Sequence, residues 1–412
     1  GVVAPLGHTP AEVFDALLAG RSAVAPITRF PTDAFPCKIG AAVTGFKAAQ
    51  WVSNRKNLKL MSEAVQYGVA AVKRAWLDAG LEGAGINPER IGLFCGAGTA
   101  VGRTEDLIPA IEESTGPEGF SQARFGEVGM HAINPLWLLK GLSNNVLGFA
   151  SADLDLRGVN QNYCNTGVGG LQAIGEAAWA VVEGKADVII AGGADSALDP
   201  LHLGGFGRLR ALTARTGADA VRPFGVGHDG FAPGEGAAYF VLETAKHARA
   251  RGRTPLARVV GYGDGCGAHS LSAGDPAVVA AALRRALDHA GWQPADVDLI
   301  YAHGNGTPTY DRREAEVFGR VFGEPTPPVT TNKAQIGHAI AAGGPLSLAC
   351  ALEAGRRGVI PAVPYIRRLD KKCAHLDVVR GEARHRPIQR VLVHAAGLGA
   401  QTTFLALEFD PQ

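Results

Sequence analysis

The chain turns from a strand into a helix within Asn160-Gln-Asn-Tyr-Cys-Asn-Thr-Gly-Val-Gly-Gly-Leu-Gln-Ala-Ile-Gly-Glu176. The residues before Cys164 are strand-like, and those after it are small and become helical. A cysteine at the start of a helix faces unpaired amides and the positive end of the dipole, which favour a thiolate. This stretch therefore predicts a nucleophilic Cys164. The alternative is a buried core cysteine, which is common for a single cysteine.

Short apolar runs that end in glycine recur along the chain and read as buried strands. Helical segments lie between them, for example at 62–79 and 276–290. Alternation of strands and helices predicts the α/β class. The four clearest strand runs are Ile91–Cys95, Asp187–Ala191, Asp298–Ala302 and Arg390–His394.

A weak internal repeat suggests two similar halves. Residues 74–81 form a helix end with a glycine stop, followed by a proline turn and a strand. Residues 285–292 begin the same succession. We place the join in the charged Gly/Pro stretch 249–255, so the predicted halves are 1–250 and 251–412. Chance resemblance of two helix–strand units is the alternative.

Bulk properties exclude several classes of protein. The 412 residues carry a net charge of +1, which gives no global field for nucleic acid. None of the six cysteines forms a C-x-x-C pair, so neither a zinc site nor a disulfide framework is predicted. Free thiols favour the cytoplasm, and no signal peptide or membrane-spanning run is visible. The abrupt, strand-like opening at Gly1 predicts a few further residues upstream.

Two histidines follow patterns that point to a site. His303 comes directly after an apolar strand and precedes two glycines, at the strand end where open α/β sheets bind ligands. Lys333 and His338 flank a turn into a small-residue helix, whose dipole would keep the imidazole neutral and able to donate to an oxyanion. The alternatives are a surface histidine at 303, and a helix cap with a solvated lysine.

Together, a thiolate and two histidines in separate loops suit acyl transfer followed by carbanion chemistry. A cysteine hydrolase is the alternative on chemistry alone, but no second base for water is evident. A dinucleotide-binding enzyme is poorly supported, because Gly96–Gly102 has the wrong glycine spacing and no suitable acidic residue follows.

Several of these segments resemble, in the same order, the β-ketoacyl-acyl carrier protein synthases of the thiolase superfamily. The similarity covers essentially the whole chain and is greatest with the elongating Cys-His-His type. The segments that carry it are the Cys164 run, Lys185–Gly193, Arg222–Gly236, His303–Pro308, Asp311–Glu314, Asn332–His338 and Gly397–Ala400.

The resemblance implies a five-layered α-β-α-β-α fold and a decarboxylative condensation without metal or cofactor. Cys164 would carry the acyl group, and His303 and His338 would hold the malonyl thioester carbonyl. Lys333 would order the surroundings of His338, and the amides of Cys164 and Leu398 would form the oxyanion hole. Asn305 and Thr307 would contact pantetheine.

The family also implies partners. It is dimeric, with the strand before Cys164 at the interface, and it serves an acidic acyl carrier protein. A homodimer and a heterodimer are both compatible with the sequence. Clustered cations would dock the carrier, although a solvated basic face is the alternative. The predicted docking residues are Arg55, Lys56 and Lys59 at the opening of a helix, with Arg208 and Arg210.

Departures from the family pattern spare the triad and alter its surroundings. They favour a specialised polyketide or aryl-polyene enzyme over a fatty acid one. A chain-length-type partner subunit with little activity is the alternative function. Enzymes that condense coenzyme A thioesters are disfavoured, because they lack the second histidine. The departing residues are Tyr163, Asn165, Thr166, Gly225, His228, Asn305, Gly306, Leu398, Ala400 to Thr402, and Ser347 in place of a glutamate.

Overall fold

The computed structural model describes residues 1–98, 104–268, 271–272 and 274–410. Its two main sheets have five strands each, in the orders β1-β5-β4-β2-β3 and β6-β10-β9-β7-β8. In both sheets the successive pairings are antiparallel, antiparallel, parallel and parallel. The strands are β1 Val2–Val3, β2 Ile91–Ala97, β3 Asn160–Tyr163, β4 Val188–Ser196, β5 Glu235–Glu243, β6 Arg258–Cys266, β7 Leu299–Tyr301, β8 Val329–Thr330, β9 Arg390–Gly397 and β10 Gln401–Glu408.

Helices cover both outer faces and fill the space between the sheets, which confirms the predicted five layers. Helices α4 and α8 lie between the sheets, α2 and α3 cover the first sheet, and α6 and α7 cover the second. The longer helices are α1 Pro10–Leu18, α2 Glu63–Asp78, α3 Asn145–Leu154, α4 Gly169–Val182, α5 Pro200–Arg208, α6 Pro276–Ala290, α7 Pro308–Phe322 and α8 Gly343–Arg357.

Shorter elements connect these layers. The short strand pairs are Val24–Pro26 with Ile39–Ala41, Thr115–Gly116 with Gly119–Phe120, and Val359–Ile360 with Arg384–His385. Short helical segments include Ile108–Glu113, Trp137–Lys140, Ala245–Ala250, Lys333–Ile336 and the 3-10 turns Thr166–Val168 and Ile340–Ala342.

Small residues let α4 fit between the two sheets. A Cβ on Gly170 would clash with the carbonyl oxygen of Ala341, and one on Gly175 would clash with the ring of Tyr262. Side chains from both sheets, including Ile189 and Val391, pack against this central layer as one apolar cluster. Glycine is therefore required where the central helix meets its neighbours.

The helices and strands predicted from the sequence agree with the structure, except at the basic residues 54–59. The four apolar runs are strands, and the segments 62–79 and 276–290 correspond to α2 and α6. The predicted helix opening at 54–59 is instead a separate 3-10 helix, Arg55–Leu60, capped by the side chain of Asn54. Residues 99–102 of the rejected dinucleotide motif lie outside the described residues.

The strands of the first sheet all lie before residue 250 and those of the second all lie after it. The proposed join at 249–255 falls between β5 and β6. Among the helices of the described ranges, none combines the length and apolar character needed to cross a membrane.

Candidate active site

Cys164 occupies an exposed position at the end of an edge strand of the first sheet. Strand β3 ends at Tyr163, and a 3-10 turn at 166–168 leads into α4. Thr166 has φ +45°, an uncommon conformation for a β-branched residue, and it turns the chain toward the helix. The side-chain amide of Asn162 donates from Nδ2 to Cys164 Sγ at 3.0 Å. The buried-core alternative for this cysteine is therefore wrong.

A cavity of about 300 Å³ lies at the carboxyl ends of the neighbouring strands. The strand register places Tyr163 beside Gly96 on β2, and Ala97 beside Ala194 on β4. Ala97 ends β2, which pairs with β3, the strand before Cys164. Because neighbouring strands are separated by about 4.8 Å, the cavity wall at Ala97 lies about that far from the cysteine segment. The lining includes Gly98, Leu142, Val146, Asp195 and His202.

Asp195 brings a buried carboxyl group to this cavity. Its Oδ2 accepts a hydrogen bond from the amide of Ala341 at 3.2 Å, and its Oδ1 accepts one from Ser196 at 2.9 Å. Burial raises the pKa of Asp195 to about 6. One side of the cavity is therefore polar and joined to the turn that follows His338.

His303 is buried just beyond β7, so the surface alternative is wrong. The amide of Ala396 donates to His303 Nδ1 at 3.2 Å, which places the proton of the neutral ring on Nε2. The carboxylate of Glu314 accepts the backbone amides of His303 and Gly304 at 2.7 and 2.6 Å. Burial, with a smaller effect from the charge of Lys333, holds the pKa of His303 well below its usual range.

His338 lies beside His303, with the two ring centroids 5.1 Å apart and the planes at 85°. Its ring meets Phe231 edge to face at 5.0 Å. A Cβ added to Gly343, the first residue of α8, would lie 3.1 Å from His338 Nδ1, so the ring sits at the start of this helix as predicted. Burial and the charge of Lys333 hold its pKa well below the usual range. Both imidazoles are therefore neutral donors at pH 7.

Lys333 is fully buried, so the solvated alternative is wrong. Its ammonium donates to Ser347 Oγ at 3.4 Å, and Ser347 in turn donates to Asn332 at 3.2 Å. Within the described ranges, Lys333 forms no ion pair with a carboxylate. Burial lowers its pKa to about 8, and more distant carboxylates such as Glu314 oppose this shift.

Two contacts bring the cysteine segment to the histidines. The turn at 166–168 packs on the turn at 340–342, which follows His338. The Thr166 hydroxyl donates to the carbonyl of Leu398 at 3.5 Å, just after the end of β9. Because Ala396 of β9 also binds His303, the three segments meet at the ends of β3 and β9. Among the described residues, the amides of Cys164 and Leu398 have no hydrogen-bond acceptor.

Asn305 and Thr307 are both buried beside the His303 loop. Asn305 Oδ1 accepts the backbone amide of Thr307 at 2.8 Å, and the Thr307 hydroxyl donates to the carbonyl of Ala211 at 3.4 Å. These bonds order the loop that leads into α7. The two residues therefore belong to the ordered loop that connects His303 with α7.

All five predicted docking cations are exposed, and over the described stretches none is joined to a carboxylate by an ion pair. Arg208 ends α5, and Arg210 follows with φ +53°. Exposed, unpaired cations are free to meet an acidic partner, although they are equally compatible with a solvated basic face.

Sequence reasoning missed another buried histidine beside His303, namely His394 on β9. Its Nδ1 lies 2.6 Å from Glu314 Oε1, and its ring centroid lies 6.2 Å from that of His303. His394 is preceded by an apolar strand run, as His303 is. This pattern could have drawn attention to it, but the partner Glu314 could not have been identified from spacing.

Comparisons with family models and with known proteins all point to the same family. The family model described as beta-ketoacyl synthase, N-terminal domain, matches residues 1–248, and that for the C-terminal domain matches residues 256–366. The chain is 34% identical to 3-oxoacyl-[acyl-carrier-protein] synthase 2 of Coxiella burnetii, covering 99% of this chain and 96% of that protein. It is 31% identical to actinorhodin polyketide putative beta-ketoacyl synthase 1 of Streptomyces coelicolor, covering 99% and 86%.

Two solved structures are similarly close in fold. The ishigamide ketosynthase/chain length factor has a TM-score of 0.89 and 29% identity, covering 100% of this chain and 98% of that one. A beta-ketoacyl synthase from Burkholderia phymatum has the same TM-score, identity and coverage. The domain models together include Cys164, His303, Lys333 and His338, and the whole-chain matches also include the segment at Leu398.

Proposed function

The chain belongs to the β-ketoacyl synthase family, a family of condensing acyltransferases, and we propose that it condenses an acyl group held on Cys164 with malonyl-acyl carrier protein. The product would be a β-ketoacyl-acyl carrier protein in type II polyketide or fatty acid synthesis. One observation carries the proposal: the turn that follows an exposed cysteine packs against the turn that follows His338, and the buried rings of His303 and His338 lie side by side.

The acylation step uses the groups around Cys164. The Cys164 thiolate attacks the acyl thioester of the carrier, and the pantetheine thiol leaves. The negative charge on the tetrahedral oxygen would be stabilised by the amides of Cys164 and Leu398, neither of which has an acceptor among the described residues. The acyl chain would extend into the cavity beyond Ala97 and Gly98.

The condensation step uses the histidines. Loss of carbon dioxide from the malonyl thioester leaves an enolate, whose oxygen would accept hydrogen bonds from His303 and His338. Donors that are already neutral and buried stabilise this charge without reorganisation of solvent. The enolate carbon then attacks the acyl thioester and Cys164 leaves as the thiolate. Lys333 would maintain the polar surroundings of His338, and Asn305 and Thr307 would contact pantetheine.

The decisive experiment is intact-mass measurement of the protein after incubation with acyl carrier proteins bearing candidate acyl groups. We expect the wild type to gain the mass of the acyl group and Cys164→Ala to gain nothing. Cys266→Ala is the matched control, because Cys266 is the other exposed cysteine. Acylation that persists in Cys164→Ala would contradict the proposal.

A second candidate function is that of a chain-length-type partner subunit with little activity of its own. The similarity to the ishigamide ketosynthase/chain length factor supports this second candidate. The packing of the Cys164 segment against the segments that carry His303 and His338 favours the catalytic role. Wild-type protein that is never acylated by itself, but shifts product length when paired with an active ketosynthase, would support the second candidate.

The remaining parts of the proposal concern assembly and location. We propose halves at 1–250 and 251–412, supported by the shared strand order of the sheets. A homodimer or heterodimer would form along the edge strand β3, and Arg55, Lys56, Lys59, Arg208 and Arg210 would dock the acidic carrier. Six unpaired cysteines support a cytoplasmic location, where thiols stay reduced.

A further inference from the structure

His394 and Glu314 form a buried polar pair behind the proposed catalytic histidine. Both residues are almost fully buried. His394 Nδ1 lies 2.6 Å from Glu314 Oε1, and His394 Nε2 lies 2.9 Å from the hydroxyl of Thr402. The ring of His394 stacks on Phe404 with centroids 4.1 Å apart and planes at 6°. The ring is thus fixed by two polar contacts and one aromatic contact.

This pair is connected directly to the backbone of the His303 loop. The carboxylate of Glu314 accepts the amides of His303 and Gly304 on different oxygens, at 2.7 and 2.6 Å. Since the carboxylate has no proton to donate, His394 Nδ1 is the donor in their contact. Glu314 therefore receives three hydrogen bonds, and the bond from His394 sets where the carboxylate can sit.

The strand that carries His394 also fixes the ring of His303. Two residues further along β9, the amide of Ala396 donates to His303 Nδ1 at 3.2 Å. The backbone of His303 is therefore held through Glu314, and its ring is held through Ala396. Both restraints depend on the placement of the same strand beside α7.

We infer that His394 is a positioning residue, which acts through Glu314 to aim His303 Nε2 at the oxygen of the malonyl enolate. This inference rests on the proposed function, because the enolate belongs to that reaction. His394 itself need not touch substrate. Since a donor must match the position where charge develops, a loosened His303 loop would slow decarboxylation and leave acylation of Cys164 unaffected.

Two substitutions separate the hydrogen bond from the packing. An asparagine side chain carries an amide donor the same number of bonds from the backbone as Nδ1 of histidine, so His394→Asn preserves the contact with Glu314. His394→Leu keeps apolar volume against Phe404 but has no donor. His385→Asn is the matched control, because His385 is exposed in the same half of the chain.

The experiment measures release of carbon dioxide from malonyl-acyl carrier protein, with kcat and KM determined separately, beside acylation of Cys164 by intact mass. We expect His394→Leu to lower kcat for decarboxylation by about 10- to 100-fold. Acylation and KM should change little, and His394→Asn should restore most of kcat. Equal loss of both half-reactions, no loss in His394→Leu, or failure of His394→Asn to restore kcat would overturn the inference.

A readout independent of turnover separates this inference from the proposed function. In histidine-labelled protein, NMR of the ring nitrogens reports the tautomer and environment of His303. We expect the His303 signals to shift in His394→Leu and to return in His394→Asn, whether or not the wild type decarboxylates malonyl thioesters. Unchanged His303 signals in His394→Leu would overturn the positioning role even if the proposed function holds.

Discussion

The cysteine segment and the histidine pair differ in how far each is removed from solvent. Cys164 is exposed at the end of an edge strand, whereas His303 and His338 are 2% and 5% exposed. A nucleophile must be reached by a bulky carrier-bound thioester, so it needs access. Donors to a developing oxyanion act most strongly where water is excluded, because water would weaken their effect. The difference in exposure matches what the two proposed half-reactions would require of Cys164 and of the histidines.

The test with the largest expected effect removes the two buried imidazole donors. We expect His303→Ala and His338→Ala each to lower decarboxylation of malonyl-acyl carrier protein by about 10²- to 10³-fold, as for other lost oxyanion donors. Acylation of Cys164, measured by intact mass, should persist. His385→Ala serves as the exposed-histidine control. If acylation falls as far as decarboxylation, the division of labour between the two regions is wrong.

A second test uses Lys333, the buried cation beside the histidines. Its pKa is about 8 in the folded protein and is near 10.5 when unfolded, so the unfolded state binds more protons between these values. Stability contributed by this group therefore rises as pH increases through that window, by about 3 kcal/mol. We expect the free energy of unfolding of wild type, relative to Lys333→Met, to rise by this amount from pH 8 to 10.5.

The control for Lys333 is Lys246→Met, since Lys246 is exposed and should give a curve parallel to the wild type. A second variant, Ser347→Glu, tests whether the missing ionic partner is the reason for the lowered pKa of Lys333. A carboxylate in place of the hydroxyl would pair with Lys333, raise its pKa and flatten the rise. Parallel curves for Lys333→Met and wild type would show that folding does not lower the pKa of Lys333.

The smallest expected effect concerns access to the exposed cysteine. We expect the double variant Arg55→Glu, Lys59→Glu to slow acylation from carrier protein about tenfold at low salt, because electrostatic attraction raises association rates. High salt should reduce the difference. Acylation from a small thioester should be unchanged. Lys246→Glu with Arg249→Glu provides an exposed control, and equal loss with both donors would contradict the docking role.

Local pattern was enough to predict much of the fold. The four apolar strand runs, α2 and α6 were predicted because buried strands and amphipathic helices leave a periodic record in the chain. The prediction that a longer helix opens at 54–59 was wrong, since these residues form a separate 3-10 helix. A polar hexapeptide carries too little apolar periodicity to distinguish a 3-10 helix from an α-helix. The layered arrangement followed from the resemblance and not from spacing.

The sequence alone determined which residue types could carry the chemistry, that strands end beside Cys164 and His303, and that a helix begins near His338. Only the tertiary structure decided their environments. Exposure of Cys164, burial of Lys333 beside Ser347, and the contact of His394 with Glu314 join residues far apart in the chain. Desolvation and hydrogen-bond geometry depend on what surrounds a group in space, and no local pattern records that information.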